Sequence, residues 1–122
     1  MKTAICICFS KKNESYHRKI LNDLNMIKIP EGSNLSFYLV ANSNPIKLTN
    51  LLKKIITNKK INISILNSIK KDIPNTRNIF LLKIKNMDLD YVGFLDDDCK
   101  INRNWIFLMT NFDRRSRISY LL

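Results

Sequence analysis

Glycine is nearly missing from this chain of 122 residues, with only Gly32 and Gly93 present. Without a glycine-rich loop there is neither a dinucleotide fingerprint nor a Walker motif, which excludes standard Rossmann oxidoreductases and P-loop enzymes. Histidine occurs once, as His17, and cysteine three times, at positions 6, 8 and 99. A structural zinc site needs four well-spaced Cys or His ligands, and these four residues lack any such spacing. They read as buried strand cysteines and a helix-surface histidine. Three cysteines cannot all pair, and Cys6 and Cys8 are same-face strand neighbours, too close for an ordinary structural bridge, which favours a reducing compartment. No stretch approaches the ~20 apolar residues of a membrane span. The opening run from Thr3 to Ser10 imitates a signal peptide, but it is too short, and Lys11-Lys12 stand where a small-residue cleavage site would be. The chain is expected to be soluble and cytoplasmic, with any membrane contact peripheral, at the inner membrane face.

Acidic residues are also few: ten Asp and Glu against 21 Lys and Arg give a formal net charge of +11. Part of this excess goes with an abundance of Asn and Ile, which share A/T-heavy codons with Lys. The remaining positive field favours anionic partners, whether phosphates, nucleic acid or an acidic membrane surface. At 45% apolar and 25% charged residues the composition is close to the globular average, so a core can form. The length suits one domain.

The hydrophobic pattern alternates between two periods. Thr3 to Phe9 (TAICICF) reads as a strand, and Ile20, Leu21, Leu24 and Ile27 then make a helical stripe over Glu14 to Ile27. After a turn at Pro30-Glu31-Gly32, Leu35 to Val40 (LSFYLV) reads as a strand buried on both faces. Asn44-Pro45 opens a second helix carrying Leu48, Leu51, Leu52, Ile55 and Ile56. In Ile61 to Leu66 (INISIL), apolar residues alternate with Asn62 and Ser64, which places this strand nearer an edge. A third helix is expected from Pro74 through Met87, a fourth strand at Tyr91 to Leu95, and a last helix carrying Trp105, Leu108, Met109 and Phe112. This βαβαβαβα order predicts an α/β fold with a mainly parallel sheet flanked by helices. Ligands of such sheets bind beyond the carboxyl ends of the strands, here Ser10 to Asn13, Asn42 to Asn44, Asn67-Ser68 and Asp96 to Asp98.

Of these, Asp96-Asp97-Asp98 carries the most chemistry, because five of the ten acidic residues (88, 90, 96, 97 and 98) fall in one short stretch of a basic chain. In an extended segment Asp96 and Asp98 share one side while Asp97 points elsewhere. A hard divalent cation, Mg²⁺ or Mn²⁺, would relieve their mutual repulsion and keep coordination positions open for a diphosphate. A solvated acidic turn is the plainer alternative.

Three segments in this order, Ile73-Pro74-Asn75-Thr76-Arg77-Asn78, then Asp90 to Asp98 (DYVGFLDDD), then Asn104-Trp105-Ile106, resemble family 2 glycosyltransferases of the GT-A fold. The opening ICICFSKKN is similar to that family's first strand and loop. The resemblance covers most of residues 3 to 110 and implies the Rossmann-like, nucleotide-binding half of a GT-A domain. It implies a nucleotide-diphospho-sugar donor contacted by Ser10, Lys11, Asn42, Arg77, Asp96 and Asp97, and a metal held by Asp98 with Asp96. By the same resemblance, Asn78 would help to hold the helix start. The acceptor, whether saccharide, lipid-linked or protein, stays open.

Two departures from the family pattern matter. Where the family has Val-Asp-Asn, this chain has Val40-Ala41-Asn42, so the carboxylate that contacts the base is replaced and uridine preference does not follow. Only 24 residues follow Asp98; they include the basic cluster Asp113-Arg114-Arg115-Ser116-Arg117, and none of them can be nominated as the general base. Residues 1–122 are therefore expected to form a single partial domain without the acceptor-binding half, catalytically incomplete by itself. The competing reading is a noncatalytic remnant or basic module that binds nucleic acid or anionic lipid. Nucleic acid is disfavoured because few aromatics interleave with the lysines. A phosphoacceptor receiver domain is disfavoured because Ser10 and two lysines follow the first strand, where an acidic pair would be expected.

Overall fold

A computed structural model describes residues 2–9, 14–41, 45–68 and 73–108. Its elements follow in the order β1 (Lys2–Phe9), α1 (Glu14–Asn25), β2 (Asn34–Ala41), α2 (Pro45–Ile55), β3 (Ile61–Asn67), α3 (Ile73–Ile84) and β4 (Tyr91–Asp96). The four strands form one sheet in the order β3-β2-β1-β4, and every pairing is parallel. This is the Rossmann-like α/β architecture expected from the alternating pattern.

Strand periodicity assigns residues to the two faces. The odd positions Ile5, Ile7 and Phe9 of β1 and Leu35, Phe37 and Leu39 of β2 pack with Ile20, Leu21 and Leu24 of α1 and Leu48 and Leu51 of α2. The even positions Ala4, Cys6, Tyr38 and Val40 pack with Phe80 and Ile84 of α3. Both central strands are covered on both faces, which explains their unbroken apolar runs. Because α3 lies against β1 and β2, Asn62 and Ser64 on β3 are left exposed, and β3 is an outer strand as its alternation predicts.

The end of one helix differs from expectation. α3 stops at Ile84 rather than Met87, because the Met87 amide donates to the Ile84 carbonyl at 2.9 Å and closes a turn. The Tyr38 hydroxyl then reaches the Met87 sulfur at 3.6 Å, tying that turn to the sheet. Trp105 begins a helical turn over 105–108, prepared by Asn102, whose side-chain oxygen accepts from the Asn104 amide at 2.8 Å. Met109 and Phe112 lie outside the described residues.

The strand order fixes where a ligand can sit. From β1 the chain moves outward through β2 to β3, then crosses back through α3 to place β4 on the other side of β1. The direction of winding reverses between β1 and β4, so the carboxyl ends of these two strands border the crevice of the fold.

Candidate functional site

Asp96 is the last residue of β4 and is in register with Cys8 of β1. The strand does not continue through the acidic triplet. The Cys99 amide donates to the Asp96 carbonyl at 3.2 Å, closing a turn through Asp97 and Asp98. In this turn Asp96 and Asp98 are exposed, whereas Asp97 is buried, with a relative exposure of 7%.

Asp97 lies against α1, where its Oδ2 is 2.9 Å from Nε2 of His17. The His17 ring also packs edge-on to Phe9, with centroids 4.7 Å apart. His17 is therefore not the surface residue expected from the sequence, since its side chain is only 14% exposed. A signal for this was present: the buried stripe Ile20, Leu21, Leu24, extended back one turn, arrives at position 17. A second polar contact from the same helix was not legible. Asp23 Oδ2 accepts from the Ile101 amide at 3.1 Å. The stretch from Asp97 to Ile101 is thus held to α1 at both of its ends.

The other side of the crevice belongs to α3. Arg77 is exposed, and its guanidinium carbon lies 5.1 Å from the centroid of the Phe94 ring. Phe94 is in register with Cys6, so Arg77, Cys6, Cys8 and Asp96 share the α3 face of the sheet near the strand ends. Cys6 and Cys8 are free thiols that act on each other. The hydrogen bond from Cys6 to the Cys8 sulfur, reinforced by the Arg77 charge, lowers the Cys8 pKa against the opposing effect of burial. The same bond, with burial, pushes the Cys6 thiol up.

The structure therefore brings Arg77 and Asp96 to one face, leaves Asp98 exposed on the adjoining turn, and turns Asp97 towards α1. Asn78 lies elsewhere, lining a shallow depression on the outer side of α3 with Leu81, Leu82 and Lys85. The start of α3 is instead tied to the end of β3 by Asn75, whose side-chain amide donates to the Ser68 hydroxyl at 3.1 Å. Ser10, Lys11 and Asn42 lie outside the described residues. Among the described residues no three His, Cys, Asp or Glu side chains converge on a point that could hold a metal ion. Asp96 and Asp98 offer two exposed carboxylates, a partial set of the hard oxygen donors that suit Mg²⁺ or Mn²⁺.

The sequence matches no family model and no curated protein. Among solved structures the chain is similar to residues 1–349 of S. aureus TarS, with a TM-score of 0.66 and 18% identity over 96% of this chain and 33% of that one. It is likewise similar to the same TarS fragment in complex with UDP-GlcNAc, at a TM-score of 0.66 and 19% identity, and in complex with UDP, at 0.66 and 18%. The chain spans about a third of the length of that TarS fragment. What the two share at this level of identity is the fold, an all-parallel Rossmann-like sheet flanked by helices.

Proposed function

We propose that this chain is a glycosyltransferase-like domain of the family 2 type that binds a nucleotide-diphospho-sugar in the crevice between β1 and β4. The observation that carries this reading is the placement of two exposed carboxylates, Asp96 and Asp98, at the carboxyl end of β4, beside the point where the winding of the sheet reverses. The likeness in fold to a protein solved with UDP-GlcNAc and with UDP supports it.

In this reading Asp98, assisted by Asp96, would hold Mg²⁺ or Mn²⁺, and the ion would supply positive charge against the diphosphate leaving group. Two carboxylates suit such a role, because Mg²⁺ is usually held by one or two side chains and completes its shell with phosphate oxygens and water. Arg77 lies on the adjoining wall, where its charge attracts the diphosphate. In sequence Ser10 and Lys11 follow β1 and Asn42 follows β2, and in this reading Lys11 screens phosphate charge and Asn42 offers an amide to the base. An acceptor hydroxyl would attack the anomeric carbon, assisted by a carboxylate base.

The test is calorimetric titration with UDP, GDP and CDP, with and without Mn²⁺, on wild type and Asp98→Ala. Metal-dependent binding that disappears in the variant is the expected result, and the preferred base then reports what Ala41 changes. Wild-type affinity in Asp98→Ala would overturn the assignment. Binding that needs no metal and collapses with added salt would point to the basic surface instead.

A further inference from the structure

Three adjacent carboxylates on one turn repel one another, and the middle one is the costliest, because Asp97 gives up most of its water. It is compensated across a long span of sequence: His17, separated from it by 80 positions, presents Nε2 to Oδ2 at 2.9 Å. The imidazole is itself fixed by the edge-on Phe9 ring at the end of β1. Three elements meet there, since β1 supplies Phe9, α1 supplies His17, and the turn after β4 supplies Asp97. α1 is in turn fixed in the core through Ile20, Leu21 and Leu24, which are at most 1% exposed. Asp23 of the same helix then holds the Ile101 amide.

We infer that His17 is the positioning residue of the acidic turn: by holding Asp97 against α1 it fixes the turn so that Asp96 and Asp98 are presented together to the crevice. Asp97 is thereby the anchor of the turn and not a contact to the donor. This inference rests on the proposed reading of Asp96 and Asp98 as the donor-site carboxylates. The physical effect is pre-organisation. Two like charges on a free turn would spread apart, and a cation would have to gather them, whereas a turn fixed from behind holds them in place beforehand.

The experiment compares His17→Gln, whose amide nitrogen can take the place of Nε2, with His17→Asn, whose shorter side chain cannot reach Asp97. Mn²⁺ alone is the probe, with bound metal read from the loss of the free-ion signal in electron paramagnetic resonance. Hydrogen exchange at the Cys99 amide, which closes the turn, gives a second readout independent of metal. His17→Asn should weaken Mn²⁺ binding roughly 10- to 100-fold, as lost outer-shell support of metal ligands typically does, and should speed Cys99 exchange. His17→Gln should restore most of both. Adding Asp97→Asn to His17→Asn should weaken binding little further, because the coupling is already broken.

Wild-type Mn²⁺ affinity in His17→Asn, in a protein whose Asp98→Ala variant has lost the metal, would overturn the positioning role and leave the donor-site reading intact. Unchanged Mn²⁺ affinity in Asp98→Ala would overturn both. If His17→Asn does not fold, Asp97→Ala breaks the same contact from its other side: weaker Mn²⁺ binding with faster Cys99 exchange supports the role, and wild-type values of both overturn it.

Discussion

The guanidinium of Arg77 lies over the ring of Phe94, 5.1 Å from its centroid, and so joins the first half of α3 to the strand that ends in the acidic turn. Phe94 is gripped from its other neighbour as well, because Phe80 meets it edge-on with centroids 5.4 Å apart. Arg77→Ala should therefore act twice. Losing an exposed cation–π contact costs about 0.5–1 kcal/mol of stability, read from urea unfolding. It should also weaken Mn²⁺-dependent nucleotide binding by removing a charge from the crevice wall, read by calorimetry. Arg77→Lys should recover binding better than stability, since the ammonium restores charge but not the planar stacking group. An Arg77→Ala protein altered in neither property would dissociate this residue from the site.

A buried hydroxyl gives a prediction about stability alone. Thr3, on β1, is 1% exposed, and its Oγ1 has no hydrogen-bond partner among the described residues. Thr3→Val keeps the shape and the β-branch while removing a polar group that gave up water without replacement. The variant should be more stable by about 1 kcal/mol. Chemical denaturation at neutral pH checks it, and a loss of stability would mean that the hydroxyl is satisfied in solution.

The thiol pair predicts an order of reactivity. Because Cys6 donates to the Cys8 sulfur and Arg77 adds positive charge, the Cys8 thiolate forms below the ordinary thiol value of 9.0, while Cys6 keeps its proton. As pH rises, alkylation of Cys8 by iodoacetamide should set in before that of Cys6 and at lower pH than for the same residue in the denatured chain. Peptide mapping after limiting alkylation distinguishes the two sites, and equal labelling of Cys6 and Cys8 would contradict the coupling. Arg77→Ala should move the onset for Cys8 to higher pH.

The fold was legible in the sequence because each segment declares its own burial. LSFYLV is apolar at every position but Ser36 because helices cover both faces of β2, and INISIL alternates because α3 lies against β1 and β2 and leaves Asn62 and Ser64 exposed. The helix end at Ile84 was not legible, since it depends on a turn and on Tyr38, a residue from another strand. Within the site, the importance of the acidic triplet could be read from composition. Which aspartate is buried could not be derived from strand alternation, because β4 ends at Asp96 and a turn takes over. The pairing of Asp97 with His17 joins residues with no local sequence relationship, and only the helical stripe hinted that position 17 faces inward. Asp23, with its partner at Ile101, left no such hint.

The central place of β1 has a kinetic consequence. The Lys2 carbonyl accepts from the Asp90 amide at 2.8 Å, and the Lys2 amide donates to the Asp90 carboxylate at 2.7 Å, a pairing between residues 88 positions apart. A chain emerging from the ribosome makes β1 first among these strands, can pair it with β2 early, and must leave its other side open until β4 has been made. Closing so long a loop is entropically slow, and parallel pairing rewards it only at the end. Until β4 has been made, then, the strand that bears Cys6 and Cys8 has one unpaired edge, and the crevice comes into being only when β4 docks.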